Sequence, residues 1–254
     1  MAVEILGILL ASAGASYALR AWQRRREPIA LLDDVLAEDA SIAMSVATHE
    51  AGSRSHPEIW PIHILYGLLQ DETFTAAIKK LGGDPEPIEA RVLGELERRP
   101  ARERDEAARV EALRVLAYAH GQRDRKITAT DLWAYLARTT TGRLVESGDL
   151  TCHALLFTLV HGMAEPPATL PDRIDVHVIM RNDDYTTRDF VVSALREVFD
   201  MSDADAEPKM MQVHNEGRGV VGRFKAPLAA MKVELVRKRA REQMFPLWIA
   251  PEDC

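Results

Sequence analysis

Several motifs that mark enzymes are missing from this sequence. No Gly-x-x-x-x-Gly-Lys-Ser/Thr phosphate loop occurs in its 254 residues, which argues against a nucleotide-driven motor. No Ser-His-Asp or Cys-His arrangement stands in a recognisable context, and no histidine pair combines a metal-ligand spacing with an acid on the same helix face. We therefore predict a protein that is not an enzyme and uses no metal or cofactor.

Cysteine and net positive charge are also scarce. The two cysteines, Cys152 and Cys254, lie far apart, which is typical of structural thiols in a reducing compartment. The formal net charge of -7 argues against nucleic-acid binding, because neutralising phosphates requires a basic surface. With 47% hydrophobic and 28% charged residues, the composition is that of a globular protein with room for two modest domains.

A long apolar run lies at the N-terminus, from Ile5 to Leu19, and arginines follow it. Extended from Ala2 to Trp22, it reaches the length of about 20 residues that a membrane-spanning helix needs. Because positive charge follows the apolar core, the pattern favours an uncleaved single-pass anchor in the inner membrane over residues 1–26, with the bulk of the chain in the cytoplasm. A cleaved export signal and a helix lying on the membrane surface or on a partner are the alternatives.

The stretch from residue 31 to 162 is helical in pattern, and the pattern occurs twice. Residues 43–49 are echoed by 114–120, and the helix start at 60–69 is echoed by 128–136. Pro61 suits a first helical turn and Thr128 suits an N-cap. Two further helices follow in each half, which predicts two four-helix halves joined by a charged run.

These halves resemble the double-repeat Clp N-terminal domain found at the front of the ClpA and ClpC unfoldases. The resemblance covers residues 35–162 and rests on the helix start Pro61 to Leu65, its equivalent Ile127 to Leu132, and the closing Val160 to Gly162. It implies an all-α helical repeat domain.

A proline-rich linker, residues 163–172, ends this domain. Beyond it, Ile174 to Arg181 alternates between apolar and polar residues as a strand does, and Thr186 with Asp189 predicts a capping box for the following helix. The remaining pattern gives the order β-α-α-β-α-β, an α/β sandwich over residues 173–254. The predicted fold class is thus multidomain, α followed by α/β.

Residues 173–254 closely resemble the ClpS adaptor family. The similarity is carried by Asn182 to Thr186, Phe190 and Val191, then by Met210, Val213 and His214, and by a later series of matching positions in the same order. That series is Gly217, Gly222, Phe224, Lys232, Val233, Ala240 to Glu242, Pro246 and Leu247. The resemblance implies a protein that binds substrates with a bulky hydrophobic first residue and hands them to a Clp-type unfoldase.

The family resemblance also implies a site. A free N-terminus presents an ammonium with three donors, and Asn182, Asp183 and His214 supply acceptors for it. The implied pocket walls are Thr186, Val191, Met210, Val213 and Leu247, and the implied docking residue for the unfoldase is Lys232. Without the family, the same residues are equally explained as a turn, a helix cap and core.

Two arginines depart from the family pattern. Arg188 stands at the pocket rim where the family usually has an apolar residue, and Arg181 precedes Asn182 where an aliphatic residue is usual. A cation at the rim either disfavours the substrate ammonium or selects a substrate with an acidic second residue.

Two functional hypotheses follow. In the first, the chain is a membrane-tethered adaptor that recognises N-terminal degradation signals (N-degrons) and docks on the N-terminal domain of a ClpA-like or ClpC-like ATPase. In the second, it is a decoy or scaffold that sequesters adaptor or unfoldase domains, because both halves of the family's docking contact lie in one chain and permit intramolecular closure or self-association.

Overall fold

A computed structural model describes residues 35–102, 105–121, 125–170 and 173–253. Contacts divide the chain into two compact units, one ending at Cys152 and one beginning at His153. Each unit is described by itself.

The first unit is helical. Its helices are α1 (Glu38–Ser53), α2 (Pro61–Leu69), α3 (Glu72–Lys80), α4 (Pro85–Glu97), α5 (Glu106–Gly121) and α6 (Ala129–Leu136), followed by a 3-10 turn (Gly142–Val145). The next helix, α7 (Cys152–His161), begins at the last residue of this unit, and the rest of it belongs to the second. The order matches the predicted two halves, except that the third element of the second half is the single 3-10 turn instead of an α-helix.

The predicted helix starts of this unit are confirmed. Pro61 opens α2, where its missing N–H costs no hydrogen bond. Thr128 caps α6 in a capping box with Asp131. Gly67 lets α1 and α2 touch, since a Cβ there would lie 2.1 Å from the Ala43 carbonyl oxygen.

Two histidines and a tryptophan form a sealed cluster at the start of α2. The backbone N–H of Trp60 donates to Nδ1 of His63 over 2.9 Å, so the proton of the neutral His63 ring is on Nε2. That proton faces Nδ1 of His56 at 2.9 Å, and Nε2 of His56 lies 3.4 Å from the Arg99 carbonyl. Every nitrogen of the two imidazole rings therefore has a protein partner, and both histidine side chains are buried.

Cys152 is buried at the start of α7, and burial raises the pKa of its thiol to about 12. The thiol is thus protonated at neutral pH, as suits a structural cysteine. Cys254 lies outside the described residues. Within the described ranges, no group of three or more His, Cys, Asp or Glu side chains is placed to hold a metal ion.

The second unit is an α/β sandwich with the predicted element order. Its elements are β1 (Asp175–Arg181), α8 (Arg188–Glu197), α9 (Asp203–Glu216), β2 (Arg218–Lys225), α10 (Ala226–Glu242) and β3 (Trp248–Glu252). The three strands form an antiparallel sheet in the order β2-β1-β3, so β1 is central. A register shift between Val178 and Ile179 leaves Val221 of β2 unpaired.

The two faces of this sheet are covered differently. Val176, Val178 and Met180 face the main core, which α8, α9 and α10 complete. Ile179, its cross-strand partner Ala250 and the nearby Trp248 point to the other face, where Phe157 of α7 packs against them. By contacts, α7 from His153 onward therefore groups with the sheet, although the sequence resemblance assigned it to the domain of residues 35–162.

The predicted localisation at the inner membrane requires a correction. None of the described helices is long and apolar enough to cross a bilayer. The longest, Ala226–Glu242, has 17 residues and carries charges along its length, whereas a span takes about 20 apolar residues. The predicted anchor, residues 1–26, lies outside the described residues.

Candidate functional site

A cavity of about 400 Å³ opens in the second unit where β1 ends. It is bounded by the loop from β1 to α8, by the facing sides of α8 and α9, and by the residue before β3. All nine residues predicted for the substrate pocket and its rim line it. They are Asn182, Asp183, Thr186, Arg188, Val191, Met210, Val213, His214 and Leu247.

The loop is shaped by the carboxylate of Asp183. Its Oδ1 accepts from the backbone N–H groups of Tyr185 and Thr186 at 2.8 and 2.7 Å, and its Oδ2 accepts from the Thr186 hydroxyl at 2.8 Å. Burial raises the pKa of Asp183, while these hydrogen bonds oppose the rise. A carboxylate has about four acceptor positions, so one remains beyond the three in use.

The predicted capping box at Thr186 is wrong by one residue. Thr187 is the N-cap of α8, and its hydroxyl oxygen accepts from the Phe190 N–H at 3.3 Å. The physical reason is the Asp183 carboxylate. It accepts from both the backbone N–H and the hydroxyl of Thr186, which holds Thr186 in the loop, so the helix begins one position later.

Gly217 joins the two chain segments that carry the polar groups. It ends α9 in the left-handed conformation, with φ at 77°, where a side chain is strained. Its carbonyl accepts from the Asn182 N–H at 2.8 Å. The end of α9, which bears His214, is therefore fixed beside the loop that bears Asn182.

His214 and Asn182 make a defined hydrogen-bond chain with Arg188. Nη2 of Arg188 lies 3.3 Å from Nε2 of His214, and a guanidinium can only donate. The ring must therefore accept at Nε2 and carry its proton on Nδ1, which lies 3.1 Å from Oδ1 of Asn182. The acceptor nitrogen Nε2 of His214 lies at the exposed rim of the cavity.

The inner part of the cavity is apolar. Val191, Met210, Val213 and Leu247 are all less than 10% exposed and belong to the main core of the unit. Met180, fully buried on the inner face of β1, also lines the cavity, and sequence reasoning missed it. Its place in the alternation of the strand was the available signal.

Sequence reasoning also missed two acidic residues at the mouth of the cavity and did not predict the contact that Arg181 makes. Asp184 and Asp189 line the cavity, although the sequence suggested only a turn and a cap for them. Arg181 contributes to the lining, but its guanidinium stacks 4.0 Å above the Trp248 ring, on the other face of the sheet. The departure at Arg181 therefore adds a cation–π contact with Trp248.

Helix α7 supports the cavity wall from behind. Nε2 of His161 lies 2.7 Å from the carbonyl oxygen of Pro246, the residue before Leu247. Burial lowers the pKa of His161, so its ring is neutral and donates this hydrogen bond. His153, about two turns earlier in α7, makes the same kind of contact with the Phe245 carbonyl at 2.9 Å.

Lys232 lies away from this cavity. Its Nζ donates to the Val198 carbonyl and to Asp200 at 2.8 Å, and its side chain is 12% exposed. The contacts tie α10 to the loop between α8 and α9. The role of Lys232 in docking stays a prediction.

Comparison with known proteins places this unit in a family. Residues 173–250 match the family model of the ATP-dependent Clp protease adaptor protein ClpS. The ClpS adapter of Wolinella succinogenes is 47% identical over 77 residues, which is 30% of this chain and 76% of that protein. The ClpS adapter of Acetivibrio thermocellus is 51% identical over 70 residues, 28% of this chain and 71% of that protein. The chain belongs to the ClpS adaptor family.

Two further matches accompany the ClpS assignment. Residues 36–128 match the Clp repeat N-terminal domain family, over most of the helical first unit. The solved structure of Agrobacterium tumefaciens ClpS2 bound to L-phenylalaninamide is 34% identical and covers 31% of this chain and 98% of that chain, at a TM-score of 0.30. That score adds nothing to the assignment, which rests on the sequences.

Membership of the ClpS family supports the role of an adaptor for a Clp protease. The matched family and both relatives are named adaptors of the ATP-dependent Clp protease, a role that is not enzymatic. Both resemblances read from the sequence, to ClpS and to the Clp N-terminal repeats, are thereby confirmed.

Proposed function

We propose that the second unit binds protein N-termini that begin with a bulky hydrophobic residue and presents them to a Clp ATPase. The observation that carries the proposal is the division of one cavity into two chemically different parts. The mouth offers oxygen and nitrogen acceptors from Asn182, Asp183 and His214, while the interior is lined by apolar side chains. A free amino group next to an apolar side chain matches both parts.

Size and burial support a large first residue. A cavity of about 400 Å³ lies within the range of small-molecule pockets and holds one aromatic or leucine side chain with room to spare. Burying such a side chain contributes roughly 1.5–3 kcal/mol, far more than alanine gains. A substrate that begins with a small residue therefore leaves most of this free energy unused.

Binding of peptides to the full-length chain tests this proposal. Fluorescence anisotropy with peptides that begin with Phe, Leu, Arg or Met is expected to show selective binding of Phe and Leu. Acetylating the Phe peptide removes the charge and two donors of the amine, so its affinity should fall at least tenfold. Equal binding of free and acetylated Phe peptides would overturn the proposal.

We further propose that α10 contacts the N-terminal domain of a ClpA-like or ClpC-like ATPase near Lys232. This rests on the family resemblance and on the exposed apolar side chains of Leu228, Met231 and Leu235 on the same helix. Capture of a purified Clp ATPase by the full-length chain, compared with Lys232→Ala, tests it. Lys238→Ala is the matched control, because Lys238 is an exposed lysine of the same helix.

Sequestration is the second candidate, favoured by the presence of a Clp repeat N-terminal domain and a ClpS domain in one chain. If the ClpS unit binds the Clp repeats of its own or of another copy, it competes with docking on the ATPase. The expected sign is that a chain lacking residues 36–128 captures more ATPase than the full-length chain. Equal capture by both would rule out this competition.

A further inference from the structure

We propose that Arg188 makes this pocket select N-termini whose second residue is Asp or Glu. The inference rests on the proposed binding of free N-termini in the cavity. It starts from a contact: the guanidinium of Arg188 occupies the acceptor nitrogen of His214, at 3.3 Å.

This contact puts a cation where the substrate brings one. The proton on Nδ1 of His214 is committed to Asn182, so Nε2 is the single acceptor that the ring offers. Arg188 already donates to it. An incoming ammonium and the guanidinium cannot share this acceptor, because like charges at such a distance repel. The ammonium must therefore displace Arg188.

A displaced Arg188 stays at the mouth of the cavity. It is the first residue of α8, and its Cα is fixed by the cap at Thr187. The second residue of a bound N-terminus lies one Cα step, about 3.8 Å, beyond the first, and thus at the same mouth. A carboxylate on that residue accepts from both arms of a guanidinium, replacing the partner that Arg188 lost.

The mouth without Arg188 has the opposite charge. Asp184 and Asp189 line it, and both carboxylates favour a cationic second residue. Arg188 is therefore the group that sets the sign of the preference. The two carboxylates are also the competing partners for the displaced guanidinium, which limits the preference to that of an exposed ion pair.

The test compares peptides Phe-Asp, Phe-Ala and Phe-Lys, otherwise identical, on the full-length chain. At low ionic strength we expect Phe-Asp to bind about fivefold more tightly than Phe-Lys, with the difference shrinking at high salt. Arg188→Met is expected to abolish or reverse this order and to raise affinity for Phe-Ala about twofold, since the ammonium no longer displaces a cation.

Arg196→Met is the matched control. Arg196 belongs to the same helix, pairs with Asp203 and does not line the cavity, so its loss changes net charge equally without touching the mouth. It should leave the order of the three peptides unchanged.

The outcomes separate this inference from the proposed function. Equal affinities for Phe-Asp and Phe-Lys in the unmodified chain, with acetylation still abolishing binding, would overturn the inference alone. An order that persists in Arg188→Met would also overturn it. Binding that ignores acetylation in every variant would overturn the proposed function instead.

Discussion

Each of the two units contains a histidine held in a series of hydrogen bonds, and the two series end differently. In the first unit, His63 lies buried between the Trp60 backbone and His56, and every imidazole nitrogen of the two histidines has a protein partner. In the second unit, His214 contacts Asn182 on one side, and on the other side it contacts Arg188, which is an exposed side chain.

This difference distinguishes a structural histidine from one available to a ligand. Both residues are histidines, and in both places hydrogen bonds define which ring nitrogen carries the proton. What differs is whether the last hydrogen-bond partner of the histidine can move away without disrupting the packed core of the unit. Removing the hydrogen bonds of His63 is therefore expected to lower stability, and removing those of His214 is expected to weaken peptide binding.

The largest expected effect is that of His63→Ala. This substitution removes the acceptor of the buried backbone N–H of Trp60 and leaves a cavity beside His56. Together these changes lower the free energy of unfolding by about 3 kcal/mol. Amide exchange of α2 under native conditions measures this. The exposed His49 on α1 serves as control, and His49→Ala should change stability by less than about 0.5 kcal/mol. An equal effect of the two substitutions would contradict the account.

The next effect is a dependence on pH. Burial lowers the pKa of His63 from 6.5 to about 3, so between these values the unfolded chain binds a proton that the folded chain does not. The free energy of unfolding of the first unit should therefore fall as pH drops below about 6.5, by up to about 1.4 kcal/mol per pH unit from this group. Exchange of α2 amides at several pH values, corrected for intrinsic rates, gives the slope.

His63→Gln supplies the reference for that slope. Glutamine keeps an acceptor for Trp60 and a donor for His56 but does not titrate. The slope should be shallower in this variant, and identical slopes would show that other groups cause the acid sensitivity.

A smaller effect is expected at the cavity. His214→Ala should weaken binding of a Phe peptide about tenfold, which corresponds to about 1.4 kcal/mol, and change stability by less than about 0.5 kcal/mol, since the side chain is exposed. Anisotropy and thermal unfolding measure the two quantities. Asn215→Ala, at the next exposed position of α9, controls for changes in the helix end. A loss of stability without a loss of affinity would show that His214, like His63, is a structural histidine.

The smallest effect is expected behind the pocket wall. His161→Phe removes the donor to the Pro246 carbonyl and loosens Leu247, so affinity for the Phe peptide should fall about threefold. His161→Gln keeps a donor and should restore most of the affinity. If both variants bind like the unmodified chain, α7 covers the sheet without positioning the pocket.

Much of the fold was readable because its patterns are local. The alternation of β1, the proline at the start of α2 and the order of elements in the second unit needed only neighbours in sequence. The placement of α7 was not readable, because its apolar face suits either a helical bundle or a sheet, and only tertiary contacts assign Phe157 to Ile179 and Trp248.

The site was readable only through the family. Asn182 and Asp183 come directly after a strand, but His214 is 32 positions away, and nothing local brings it to Asn182. The structure adds what no spacing contains: Thr187 rather than Thr186 caps α8, Met180 lines the pocket, and Arg188 reaches His214. Each depends on side-chain positions that are defined only in the folded chain.

The most direct test follows the ring nitrogens of the histidines by NMR during titration of the full-length chain with a Phe peptide. The account predicts that Nε2 of His214 and the Asn182 side-chain amide shift with the free-amine peptide and stay unchanged with the acetylated one. His56 and His63 should not respond to either. Equal shifts with both peptides, or saturation of binding without a shift at His214, would contradict the claim that this cavity reads a free N-terminus.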